Sequence, residues 1–179
     1  MTRIRGGGAD AMQILQNFSC RGRAFGIKYY IVSNGSSPFG KDVPGLNIAL
    51  ISHDSKKELM VQFCIAYCGL LTGHSLCATK TTGKLISDAT GLNISTYLSG
   101  NQGGCQQIGA RIAYNEIDLV LYFCDPDDLS SQQSVNEIAR LCDRYSIPFA
   151  SNVATAEVLI QGLRRGDLDW RNIVNPHNH

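Results

Sequence analysis

From Leu46 onward, short apolar or β-branched runs alternate with amphipathic stretches. Leu46 to Ser52 reads as a strand, and 54–68 has helical period, with Leu59, Met60, Phe63, Ile65 and Tyr67 available for packing. His74 to Thr79 predicts a second strand, and Thr81 or Thr82 opens a helix that reaches about Thr90. Ile94 to Leu98 predicts a third strand, and a helix over 104–114 follows a glycine pair. Asp118 to Phe123 is the clearest buried strand; a helix over 133–145, a strand from Ile147 to Ala150 and a helix over 153–163 complete the series. Strands alternating with helices pair in parallel through right-handed crossovers. The pattern therefore predicts an α/β fold, a three-layer α/β/α sandwich.

Residues 1–45 do not share this rhythm. They hold six Lys/Arg against Asp10 and Asp42, and eight of the eighteen glycines. One β-like run, Ile27 to Val32, interrupts turn-rich sequence. The expectation is a basic, Gly-rich arm over 1–45 ahead of a domain over 46–179. The arm lacks the apolar segment of a secretory signal.

Composition narrows the function classes. The 179 residues are 44% hydrophobic and 17% charged, which excludes wholesale disorder. A net charge of +1 gives no global electrostatic case for nucleic acid or an anionic membrane. No apolar run approaches the roughly 18 residues of a membrane span. Seven cysteines without a CxxC pair, and without His partners at matching spacing, point away from a metal site and toward a reduced, cytoplasmic chain.

In such sandwiches ligands bind beyond the carboxyl ends of the strands, and the polar residues of this chain collect there. The first strand runs into Ser52, His53, Asp54, Ser55, Lys56 and Lys57. Lysines gain nothing from a positive helix N-terminus, so a nearby anion accounts for them; the alternative makes Asp54 an N-cap and the lysines a solvated turn. The second strand runs into Thr79, Lys80, Thr81, Thr82, Gly83 and Lys84, hydroxyls and amides suited to a phosphate, without Walker A spacing. The third loop, Leu98 to Gln107, offers Gly-permitted backbone approach and another helix start. The fourth presents Asp125, Pro126, Asp127 and Asp128, which also serve as a plain strand stop. Two anion-cradling turns point to a small phosphorylated ligand.

These motifs carry a resemblance. His53-Asp54 with Lys57, Thr79 with Thr81-Thr82-Gly83, Leu98-Ser99-Gly100 with Gly103-Gly104 and Gln106-Gln107, Asp125-Pro126, and Asn152 to Ala156 occur in order over about 46–165. Together they resemble methylglyoxal synthases. The resemblance implies a five-stranded parallel sheet with flavodoxin-like winding and a homo-oligomer, usually a hexamer. It implies dihydroxyacetone phosphate as substrate, isomerised to an enediolate that eliminates phosphate to give methylglyoxal, with no metal or organic cofactor. It assigns substrate contact to His53 and Lys57, the phosphate turn to Thr79, Lys80, Thr81 and Thr82, a second binding turn to Ser99 and Gly100, and an acidic role beside the reacting carbons to Asp125.

The departures fall on the chemistry. Lys80 replaces a glycine, and Cys105 stands where the family places its catalytic Asp, the base that moves the carbon-bound proton. The family's His-containing segment after Asp125-Pro126 reads Asp127 to Ser134 here, without His and one residue shorter. Ser131 or Gln132 takes the imidazole's place and Ser134 that of a further Asp. A positioned acid or base is worth about 10²–10⁴ in rate. Cys105, Asp127 or Asp128 are the candidates to replace the base. The competing expectation is a catalytically silent phosphate-ligand module, like related domains in regulatory regions of carbamoyl-phosphate synthetases.

Overall fold

The structure, a computed structural model, describes residues 45–129 and 132–171. The arm expected over 1–45, its last residue apart, lies outside the described residues, as does Ser131. The elements are β1 (Asn47–Ser52), α1 (Lys57–Ala66) after a 3-10 turn at Asp54–Lys56, α2 (Cys68–Leu71), β2 (Ser75–Thr79) and α3 (Lys80–Thr90). They continue with β3 (Ile94–Tyr97), a 3-10 turn at Gly100–Gln102, α4 (Gly104–Ala113), β4 (Leu119–Phe123), α5 (Gln132–Arg144), β5 (Phe149–Ala150) and α6 (Val153–Arg165).

Most expected elements stand within a residue or two of their predicted ends. The helix expected over 54–68 is interrupted at Tyr67, whose ψ of 18° leaves the helical region. Its ring packs 4.8 Å from that of Phe63, and its hydroxyl donates to Glu157 on α6 at 3.1 Å. Tertiary packing thus outweighs the periodic pattern, and Cys64 and Cys68 fall on separate helices. The fifth strand is shorter than predicted because Pro148, just before it, has no N–H for the ladder, although its carbonyl still accepts from Val120 at 3.0 Å.

All five strands are parallel, in the order β3-β2-β1-β4-β5. The expected five-stranded sheet is present, but its winding is not flavodoxin-like, which would read 2-1-3-4-5. Here α1 and α3 make two successive crossovers on one face, so the chain reverses only after β3 and returns beside β1.

Each inner strand is apolar on both sides, as a sheet covered twice requires. Ile48, Leu50, Leu119 and Leu121 pack with Met60 and Phe63 of α1, Ile86 of α3 and Ile160 of α6. Ala49, Ile51, Val120 and Tyr122 pack with Ile108 and Ile112 of α4 and Ile138 of α5. Two glycines at helix starts make close approaches. A Cβ on Gly83 would lie 2.7 Å from the Thr96 methyl, and one on Gly104 only 1.9 Å from the Leu98 carbonyl oxygen. Both helices can start hard against the sheet only because those side chains are missing.

A buried ion pair closes the far end. Asp118 is 0% exposed and Arg171 1% exposed, with Arg171 Nε 3.4 Å from Asp118 Oδ1. Asp118 Oδ2 also accepts from the Asn47 amide at 2.9 Å, and Arg171 Nη2 donates to Asn115 Oδ1 at 2.9 Å and to the Ile117 carbonyl at 3.1 Å. Arg171→Ala leaves a dry carboxylate without its counter-charge and is expected to cost about 3–5 kcal/mol. Urea unfolding measures this, and a loss under about 1 kcal/mol would show the pair to be incidental.

Candidate active site

The reversal of winding places the ends of β1 and β4 side by side, where parallel sheets open toward ligands. A cavity of about 460 Å³ lies there, lined by residues that follow β1, β2, β3 and β4. His53 lines it and is 8% exposed. The His53 amide donates to the Phe123 carbonyl at 3.0 Å, and the Asp125 amide donates to His53 Nδ1 at 2.8 Å. A backbone amide only donates, so Nδ1 must be the accepting nitrogen and Nε2 carries the proton. That Nε2 lies 3.5 Å from the Tyr122 hydroxyl, with the two rings edge to face.

Lys57 opens α1 and faces the same cavity, its Nζ 2.5 Å from Asp54 Oδ1. Asp54 is thus no N-cap: His53 holds that position on the 3-10 turn, and no side chain caps it. Thr79 and Thr81 line the cavity at the start of α3, which also has no side-chain cap. Thr82 is buried instead; its hydroxyl joins those of Ser52 and Thr79, each at 3.1 Å, and ties the turn to β1. Lys80 is exposed and outside the cavity wall, its amide donating to the Leu98 carbonyl at 3.3 Å.

Ser99, Gly100 and Asn101 form the third side. Their turn is braced by the Gly104 amide on the Ser99 carbonyl at 3.0 Å, and by the Leu98 amide on Gln107 Oε1 at 2.8 Å. Gly103, at φ +96°, turns the chain into α4 without a side-chain cap. Two uncapped helix starts, of α3 and α4, therefore border one cavity. Orphan amides and the helix dipole favour an anion at such a place.

Cys105, in the first turn of α4, lines the cavity but is only 7% exposed. Burial pushes its thiol above the ordinary 9.0; the hydrogen bond with Tyr122 pulls the other way, and Glu137 adds to the rise. The Tyr122 phenol is raised strongly too, by burial first and then by Cys105, Cys124 and Asp128. Both groups are protonated at neutral pH.

Asp125 stands apart from the cavity wall. Its carboxylate accepts from Ser55 Oγ at 2.5 Å and from the Asp127 amide at 3.2 Å. The Ser55 bond, then the Asp127 amide, hold its pKa below the ordinary 3.8, so these bonds persist above that pH and loosen as pH falls through the lowered value. Asn152 is an N-cap, its Oδ1 accepting from the Thr155 amide at 3.0 Å.

The structure thus gathers His53, Lys57, Thr79, Thr81, Ser99, Gly100 and Cys105 around one cavity, while Lys80, Thr82 and the Asp125 carboxylate lie outside its wall. Asp128 and Ser134, named above as possible replacements for family carboxylates, also line it, and the structure adds Tyr122 and Asn101. Tyr122 was hidden in an apolar strand. Its signal is period two: it shares a face with Val120 at the carboxyl end, and a buried phenol needs a partner.

Residues 60–151 match the family model described as the MGS-like domain. Methylglyoxal synthase of Caldicellulosiruptor saccharolyticus is 58% identical over 132 residues, which cover 73% of this chain and 94% of that one. The chain belongs to the methylglyoxal synthase family. Methylglyoxal synthase of Geobacillus thermodenitrificans is 52% identical over 131 residues, covering 73% of this chain and 91% of its own. The crystal structure of methylglyoxal synthase from Elizabethkingia anophelis superposes with a TM-score of 0.60 at 39% identity, covering 65% of this chain and 78% of that one.

In this member of the methylglyoxal synthase family, the protonation of Cys105 can be checked directly. Alkylation of Cys105 by iodoacetamide, followed by peptide mass mapping, is expected to rise with pH to a midpoint above 9.0, the ordinary thiol value. A midpoint near neutrality would show an activated thiolate instead.

Proposed function

We propose that the chain is a lyase of the methylglyoxal synthase type, converting dihydroxyacetone phosphate to methylglyoxal and inorganic phosphate. The observation that carries this reading is the convergence of the His53 imidazole, Lys57 and two uncapped helix starts on one cavity. The phosphate sits against the α3 turn, with Thr79 and Thr81, and the Ser99–Gly100 turn, while Lys57 supplies positive charge. Lys80 stands close enough in the chain to add to the same field. The His53 Nε2–H donates to the substrate oxygen on which charge grows during enolisation, a use of preorganised donors that lowers the barrier. Asp125 acts through its amide, which fixes the His53 ring, and Cys105 stands beside the reacting carbons. A cytoplasmic homohexamer that needs no metal or organic cofactor completes the reading, on the strength of the family resemblance.

One observation favours a second reading. Cys105 is a buried, protonated thiol where the family has its catalytic Asp. A chain that kept the anion grip and lost its base would be a silent phosphate-ligand module.

The two readings separate in one assay set. Inorganic phosphate is expected to raise the melting temperature in both, because a ligand bound only by the folded state adds about 2.7 kcal/mol at a hundred times its Kd. Lys57→Ala removes a charged contact worth about 1.5–3 kcal/mol, so phosphate binding should weaken by roughly ten- to a hundredfold. Phosphate release from dihydroxyacetone phosphate marks the lyase; stabilisation without release marks the silent module. No stabilisation at any phosphate concentration would sink both.

A further inference from the structure

Resting on the lyase reading, we propose that the Asp128 carboxylate is the general base that takes the carbon-bound proton of the substrate. Enolisation needs a basic atom in the cavity that is unprotonated at neutral pH. The groups lining the wall can be taken in turn.

The Cys105 thiol and the Tyr122 phenol both hold their protons, for burial raises each of them. His53 accepts the Asp125 amide at Nδ1, so its cavity-facing Nε2 is a donor and cannot receive a proton. Lys57 is a cation. Thr79, Thr81, Ser99 and Ser134 are hydroxyls, and Asn101 an amide.

The carboxylates in the wall, among the described residues, are Asp54 and Asp128. Asp54 is engaged by the Lys57 ammonium at 2.5 Å, and its side chain is 96% exposed to water. It therefore serves to hold Lys57 at the phosphate end. Asp125 is turned to Ser55 and the Asp127 amide, outside the wall. Glu137 acts on Cys105 electrostatically from α5 but does not line the cavity.

Asp128 does, as does Tyr122, and its charge is among the smaller influences that raise the phenol. Its amide donates to the Asp125 carbonyl at 3.3 Å, which anchors it in the same loop whose Asp125 amide fixes His53. Acid donor and base are thus presented by one short segment, on the Tyr122 side of the cavity.

The step balances without a redox partner. The Asp128 carboxylate takes a proton from the hydroxymethyl carbon of dihydroxyacetone phosphate. The C–H electron pair forms the enediolate double bond, and the carbonyl oxygen takes up negative charge against the His53 Nε2–H. The hydroxyl on the deprotonated carbon then gives its proton to the departing phosphate, its oxygen electrons form the aldehyde carbonyl, and the enediolate double bond shifts to the phosphate-bearing carbon and breaks its carbon–oxygen bond; the enolate left behind takes the proton from Asp128 on its terminal carbon, which gives methylglyoxal and restores the carboxylate.

The test is exchange of the carbon-bound hydrogen of dihydroxyacetone phosphate into deuterium oxide, followed by proton NMR alongside phosphate release. Asp128→Asn should lose about a hundredfold or more in exchange, while inorganic phosphate still raises its melting temperature as in the unmodified chain. Asp88→Asn, the same charge change at an exposed position of α3 outside the wall, should exchange at the unmodified rate. Exchange undiminished in Asp128→Asn but abolished in Cys105→Ser returns the base to the thiol and overturns the assignment alone. No exchange by the unmodified chain overturns the lyase reading and the assignment together. A folding defect in Asp128→Asn would appear as lost phosphate stabilisation, and Asp128→Glu, which restores a carboxylate, must then recover exchange for the assignment to stand.

Discussion

Much of the site depends on one hydrogen bond, from the Asp125 amide to His53 Nδ1. The bond follows from the pairing of β1 with β4, in which Ser52 stands opposite Phe123, so both chains leave the sheet at the same level. The His53 amide continues the ladder by one more bond to Phe123, and the imidazole then meets the Asp125 amide in the segment that follows β4. Because an amide never accepts, the ring has one available tautomer and turns a donor toward the cavity. A side-chain partner could change its protonation with pH. A backbone partner cannot, and that permanence is what makes the donor reliable.

Around this fixed ring the charges are sorted by position. At one end Lys57 and the starts of α3 and α4 are arranged for negative charge. Beside the start of α4, Tyr122 and Cys105 form a wall whose burial keeps both protonated, so it carries hydrogen-bond capacity without charge. Of the two lysines before and at the start of α1, unfavourable against a helix dipole alone, Lys57 is met by the Asp54 carboxylate at 2.5 Å. The buried charge pair, Asp118 with Arg171, lies at the opposite end of the sheet and takes no part in this field. It commits Arg171 to its own chain, and Arg165 is likewise paired with Asp167 at 2.6 Å.

The fold was legible because its signals are local. Apolar runs bounded by turn residues gave the strands, and strict alternation with helices gave parallel pairing and a covered sheet. Strand order was not legible in the same way, since it depends on which face each crossover takes, and the flavodoxin-like expectation came from resemblance rather than pattern. Tyr67 shows the same limit on a smaller scale: only its contacts with Phe63 and Glu157, one of them 90 residues away, explain why the helix stops. In the site, the threonine and glycine turns announced themselves by composition. Asp125 announced itself too, yet its contribution through a backbone amide is invisible to any reading of side-chain types. Tyr122 was missed for the opposite reason, being a polar group in an apolar setting. Thr82 looked like a ligand hydroxyl and is a buried strut between two strand ends.

Binding and chemistry are therefore encoded in physically different ways, which is why substitutions could fall on one and spare the other. On the proposed reading the anion grip combines Lys57 with backbone: helix starts without side-chain caps, glycines that permit close approach, and a strand order that brings the loops together. Proton transfer, by contrast, rests on single side chains, each worth about 10²–10⁴ in rate, or roughly 3–5 kcal/mol of barrier. By the resemblance, Cys105 stands in place of a carboxylate at the start of α4; on the proposed reading that exchange spares the anion grip and removes the base, unless a carboxylate reaches the cavity from another element. The loop after β4, already obliged to stay close by its amide on His53, is the element the geometry allows to supply one.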